Sequence, residues 1–222
     1  MRRQVLTRDA YLDRWATLHG GYDPRSSRIV GPWLMTVHAL ARPFARLGVP
    51  PDVLTLLGVV VSGLVVWLSA LGGRWVLLAA FVVGASGLLD SLDGAVAVLT
   101  DRVTPWGAVL DSVVDRVSDA LYLVALWLVG APAGVCVAAG VVVLTQEYAR
   151  ARATATGMDD IGVVTVGERP TRVIVVAMFL LAAGIYVASA QRWASLGAYA
   201  SLTIGLVALG QLLTVVHRRL SG

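Results

Sequence analysis

Four aspartates carry the chemistry this chain can do: Asp90 and Asp93, then Asp111 and Asp115, each pair set in a stretch otherwise apolar enough to cross a membrane. Spacings of three and four residues put each pair on one face of a helix. An Asp at the centre of a membrane helix costs roughly 2.5–3.5 kcal/mol, so four in two adjacent segments cost on the order of ten kcal/mol. A divalent cation offsets that cost, because hard cations take carboxylate oxygens, whereas four bare carboxylates repel one another or take up protons. A structural ion-pair network is the competing reading, with Arg116 and Asp119 at hand as partners. Two paired sets on consecutive helices favour the metal.

The elements that must position these residues follow from composition. The chain has 222 residues, 57% of them hydrophobic, and its apolar runs match the ~20 residues that span a ~30 Å hydrocarbon core. The pattern predicts an all-α, polytopic membrane protein: a bundle of six transmembrane helices near 53–71, 75–97, 106–129, 132–152, 171–190 and 194–215. Residues 1–47 read as a cytosolic arm ending in an interfacial amphipathic helix over 32–47, which Pro43 is expected to kink. Residues 48–222 form the membrane domain. The first 30 residues lack the apolar core of a signal peptide, and Asp52 sits where a helix start favours an acid.

All 18 basic residues are arginines. On a six-span path the N-terminal arm, the 98–105 link, the 153–170 loop and the His217-Arg218-Arg219 tail share one side, and the opposite loops hold only Arg74 and Arg192. The positive-inside rule then puts both termini in the cytosol of a multi-pass cell-membrane protein. The net charge of +4 describes orientation and affinity for anionic headgroups and gives no case for nucleic acid. Trp75, Trp106 and Trp193 read as interfacial anchors, the glycines as packing positions, and the lone Cys136 as packing.

Depth along the helices brings the acids together. Counted from Trp75, Asp90 lies about 22 Å along its span, roughly 8 Å from the cytosolic boundary; from Trp106, Asp111 is about 8 Å deep and Asp115 about 14 Å. Gly94 and Gly107 allow close backbone approach there.

The run Asp90-Ser-Leu-Asp93-Gly94-Ala-Val-Ala97, followed by Gly107-Ala-Val-Leu-Asp111-Ser-Val-Val-Asp115, resembles the signature of the CDP-alcohol phosphotransferase (CDP-alcohol phosphatidyltransferase) family. Val98 stands where that pattern has Arg. The resemblance implies a homodimer of six-helix chains, two Mg²⁺ or Mn²⁺ ions per active site held by Asp90, Asp93, Asp111 and Asp115, and Asp115 as general base. It implies a donor, CDP-diacylglycerol, contacted by Asp93, Gly94, Ala97, Thr104 and Gly107, and transfer of its phosphatidyl group to an alcohol phosphate with release of CMP.

Two arginine clusters concern the acceptor: Arg150 and Arg152 in Glu147-Tyr-Ala-Arg-Ala-Arg152, and Arg169 and Arg172 in Gly167-Glu-Arg-Pro-Thr-Arg172. A guanidinium fork suits a phosphate, while Arg at a cytosolic helix end is also the ordinary topogenic signal. Arg150 and Arg152, two apart, cannot share a helical face. Both segments, with Pro51-Asp52-Val53-Leu54-Thr55, resemble the phosphatidylinositol phosphate synthase branch, which implies inositol 1-phosphate as acceptor. Glycerol 3-phosphate or another alcohol is the alternative within the enzyme class. From other classes, Val98 allows a non-catalytic CDP-lipid-binding relative, and a transporter would need acids in the outer half of the spans, where there are none. His19, His38 and His217 read as isolated surface residues, and Asp159 and Asp160 as solvated loop positions.

Overall fold

A computed structural model describes residues 6–158 and 164–220. Among these the architecture is all-helical. Eight α-helices follow in order: α1 (Arg8–Leu18), α2 (Val30–Leu47), α3 (Pro51–Leu71), α4 (Trp75–Leu99), α5 (Pro105–Val129), α6 (Ala133–Ala155), α7 (Arg169–Ile185) and α8 (Ala190–Leu220), with short 3₁₀ turns before α2 and α8. Helices α3 to α8 occupy the six expected places. By length and composition three segments can cross a membrane: Pro51–Leu71, Trp75–Leu99 and Val187–Leu220.

Helix α1 was not foreseen from the sequence. Thr7 caps it, its hydroxyl accepting from the Ala10 N–H, and Tyr11 and Leu12 are buried on α2 and the end of α4. His38 sits in that packing, 7% exposed, its ring 5.2 Å from that of Tyr11; it is a core residue and not a surface one. Pro43 lies within α2, whose helix continues to Leu47. Gly48, in the left-handed region at φ 75°, closes α2, a conformation that favours glycine.

The contacts divide the chain into two compact units, Met1–Val60 with Ser86–Asp115, and Val61–Ala85 with Arg116–Gly222. The divisions fall inside α3, α4 and α5. In the first unit, Leu34, Val37, Ala41 and Ala45 of α2 pack with Leu54 of α3 and Leu92, Val96, Val98 and Leu99 of α4. The Ser86 hydroxyl donates to the Gly58 carbonyl between α4 and α3. In the second unit, Val65, Leu68, Val76, Val83, Leu126 and Leu180 form an apolar core. The Ser62 hydroxyl there lies 3.0 Å from Ser118 and 3.3 Å from Tyr122, polar links between helices that have no water to turn to.

Glycine roles differ from the expectation. A Cβ at Gly58, Gly63 or Gly84 would meet nothing within 4 Å, whereas one at Gly184 of α7 would collide with the Leu77 backbone of α4. Close approach is therefore found at Gly184, and not at Gly58, Gly63 or Gly84. Gly157, at φ 97°, follows the end of α6, and Pro170 occupies the first turn of α7, both as their residue types dictate.

Candidate active site

The first unit brings three of the four aspartates together. One carboxylate oxygen each from Asp90 and Asp93 of α4 and Asp111 of α5 lie within 4.8 Å of one another. Oxygens on opposite sides of one Mg²⁺ are about 4.2 Å apart, twice the ~2.1 Å bond. Small side-chain rotations would let the three share an ion. Asp93 is 5% exposed, and its Oδ1 accepts from the Gly94 N–H at 2.6 Å. Its Oδ2 is buried with no hydrogen-bond partner among the described residues, the state expected of an oxygen reserved for a cation. Hard carboxylate donors and this orphaned oxygen fit Mg²⁺ or Mn²⁺.

Asp115, one turn beyond Asp111, is buried at 8% exposure and is not part of that three-oxygen group. Gly94 is exposed, with open space where a Cβ would stand. The Gly107 N–H donates to the Thr104 hydroxyl at 3.0 Å, so Thr104 caps α5. A Cβ on Gly107 would sit 3.2 Å from that hydroxyl and 3.9 Å from Asp52 Oδ1. Asp52 is thus a further carboxylate beside the motif, and not only a helix-start residue. Ala97 is half-buried, whereas Val98 is 6% exposed within the apolar cluster of α1, α2 and α4.

The second unit assembles the arginines. Glu147 of α6 is the hub: its Oε2 pairs with Arg116 Nη1 at 2.8 Å and lies 3.8 Å from Arg150 Nε, and its Oε1 lies 3.3 Å from Arg172 Nη1. Arg172 Nη1 also donates to the Gly167 carbonyl at 2.8 Å, and its Nε lies 3.1 Å from Asp119 Oδ2. Arg150 Nη2 donates to Glu168 Oε1 at 2.8 Å. Glu168 Oε1 accepts as well from the Thr165 N–H and hydroxyl. Burial pushes the Glu168 carboxyl up, but the Thr165 donors and Arg150 outweigh it and hold the group below the ordinary glutamate value. The turn is tied down further by Gln146 Nε2 to Thr165 and by the Val166 N–H to Gln211. Gly167 is required here, since a Cβ would meet Ala208 at 2.6 Å.

Of the arginines expected at the acceptor, Arg150, Arg169 and Arg172 are partly buried and Arg152 is exposed. Of the pair two residues apart, Arg150 is thus the one turned inward. Asp119 was read only as a pairing partner of Arg116, and Glu147 and Glu168 were not singled out; Arg116 and Arg150 lie one turn from Asp119 and Glu147 on the same helices, but Arg172, which joins Asp119 to Glu147, comes from α7. Asp159 and Asp160 lie outside the described residues. A cavity of about 30 Å³ beside Asp119, Tyr122, Arg172 and Ser201 has room for a water, not for a sugar phosphate.

A helical chain with membrane-length apolar segments, a partly buried three-carboxylate cluster and a set of paired arginines has the parts expected of the class of enzymes that handle phosphate esters of lipids. Comparison with known proteins makes that class specific. The profile of the CDP-alcohol phosphatidyltransferase family matches residues 49–215, and the chain belongs to that family. It is 34% identical over 194 residues to a phosphatidylinositol phosphate synthase of Streptomyces avermitilis, covering 79% of this chain and 75% of the relative. An archaetidylinositol phosphate synthase of Pyrococcus horikoshii is 28% identical over 158 residues, covering 69% and 83%. The crystal structure of the Mycobacterium tuberculosis phosphatidylinositol phosphate synthase with CDP-DAG bound superposes with TM-score 0.64 at 28% identity, over 80% of this chain and 94% of that one. The same enzyme in complex with manganese and citrate gives TM-score 0.64, over 80% and 89%. The chain is a transferase of phospholipid biosynthesis.

Proposed function

We propose that this enzyme transfers the phosphatidyl group of CDP-diacylglycerol to inositol 1-phosphate and releases CMP. The observation that carries the reading is the Asp90, Asp93 and Asp111 cluster in a chain whose relatives are archaetidylinositol phosphate and phosphatidylinositol phosphate synthases. The acceptor hydroxyl oxygen bonds to the lipid-linked phosphorus as the bond from that phosphorus to the CMP oxygen breaks. The hydroxyl proton passes to Asp115, which lies outside the three-oxygen group. Asp90, Asp93 and Asp111 would hold one divalent cation, with Asp115 contributing to a second. Such ions neutralise pyrophosphate charge and polarise the phosphorus. The open space at Gly94 leaves room for the donor, which Asp93, Ala97, Thr104 and Gly107 border. Arg150, Arg169 and Arg172 would take the acceptor phosphate, and Arg152 the membrane surface.

The same proposal covers placement. Helices α3 to α8 are six spans with both termini cytosolic in a cell-membrane homodimer, and residues 1–47 are a cytosolic arm. Trp33, Leu40 and Leu47, seven residues apart along α2, are exposed and would lie in the headgroup layer.

The test is CMP release by purified protein with CDP-diacylglycerol, Mg²⁺ or Mn²⁺ and a panel of alcohol phosphates. Inositol 1-phosphate is expected to be the best acceptor, chelation to stop turnover, and Asp93→Asn to lower it at least about 100-fold. Preference for glycerol 3-phosphate would reassign the acceptor, and undiminished turnover by Asp93→Asn in chelator would end the metal reading.

A further inference from the structure

Arg172 is held in an unusual way for a residue meant to bind a free ligand. Its side chain is 11% exposed, and two of its three guanidinium nitrogens are held by partners: Nε is ion-paired with Asp119 Oδ2 at 3.1 Å without the alignment of a hydrogen bond, and Nη1 donates to Glu147 Oε1 at 3.3 Å and to the Gly167 carbonyl at 2.8 Å. Nη2 meets no acceptor among the described residues. The plane of the fork is thus fixed by partners on three elements, α5, α6 and the turn before α7, with one nitrogen left over.

We propose that Asp119 and Glu147 are positioning residues for the acceptor: they clamp Arg172 through Nε and Nη1 so that Nη2 is presented to the acceptor's phosphate. This rests on the reading that Arg172 binds that phosphate. Asp119 sits at 6% exposure, and a buried ion network of this kind gains little stability over apolar residues of the same volume, because desolvation cancels most of the attraction. What it supplies is orientation. A long arginine side chain loses rotamer freedom when it grips a ligand, and a clamp that removes the freedom beforehand tightens binding without touching the ligand. Glu147 also pairs with Arg116 and lies near Arg150, so its charge offsets the repulsion among the three guanidinium groups gathered around it.

A double-mutant cycle on the full-length, membrane-inserted enzyme tests this, with inositol 1-phosphate and CDP-diacylglycerol titrated separately. Asp119→Asn is expected to raise the half-saturation concentration of inositol 1-phosphate about tenfold. Turnover at saturation and the response to CDP-diacylglycerol should stay as in the parent. Arg172→Gln should do the same, and the double variant no worse than Arg172→Gln alone, because a clamp has no role once the clamped group is gone. Multiplying effects in the double variant, or a drop in turnover with unchanged acceptor response in Asp119→Asn, would overturn the clamp and leave the Arg172 assignment standing. An unchanged acceptor response in Arg172→Gln would remove that assignment and the clamp with it. If Asp119→Asn fails to insert, Glu147→Gln in the same cycle decides by the same criteria.

Discussion

Val98 shows what a single position can hide. The family pattern places an Arg there, and its replacement is what allows the reading as a non-catalytic relative; the structure puts Val98 among Leu12, Leu34, Val96 and Leu99, where α1 and α2 pack on the end of α4. Restoring the motif residue as Val98→Arg would bury an uncompensated charge, at about 3–5 kcal/mol. The expected outcome is a lower melting temperature and faster proteolysis at the Gly20-Gly21 turn after α1, with no gain in affinity for CDP-diacylglycerol. Tighter donor binding with an unaltered cleavage pattern would instead show that this side chain faces the donor. The aspartates were legible because three- and four-residue spacings report local helical geometry. The surroundings of Asp52 and Glu147 were not, because Gly107 beside Asp52 and Arg116 and Arg172 beside Glu147 are brought in by tertiary folding from tens of residues away.

Helices were the most legible level, since apolar runs of about 20 residues specify them with little help from context. Helix α1 escaped because its stabilisation comes from docking Tyr11 and Leu12, not from a long apolar face. Which glycines pack closely was also hidden: glycine content marks candidates, and only the partner helix chooses among them. That choice is testable by comparing Gly184→Ala with Gly63→Ala. At Gly184 the added methyl meets the Leu77 backbone, which cannot swing aside as a side-chain end could. Overpacking of this kind costs about 1–3 kcal/mol and should lower the melting temperature in detergent by several degrees. Gly63→Ala, with open space around it, should be neutral or slightly stabilising, as alanine is the better helix former. Equal behaviour of the two variants would mean that α7 does not approach α4 at Gly184.

At the scale of the whole molecule, charge placement and the aspartate motif made the membrane class and the family readable. The division into two compact units had no such signal, because its borders cross helices at Val60/Val61, Ala85/Ser86 and Asp115/Arg116 rather than falling in loops. That placement bears on how the protein comes apart. Two units joined by a linker can melt one after the other; here, melting either alone would sever α3, α4 and α5 in mid-helix. Each severed helix would expose roughly four N–H and four carbonyl groups, and in lipid every unsatisfied group costs several kcal/mol. Denaturant unfolding is therefore expected to be a single transition, and backbone amides at 60–61, 85–86 and 115–116 should exchange with solvent no faster than those a turn to either side. Two resolved transitions, or fast exchange confined to those three seams, would show that the helices can be broken there at little cost.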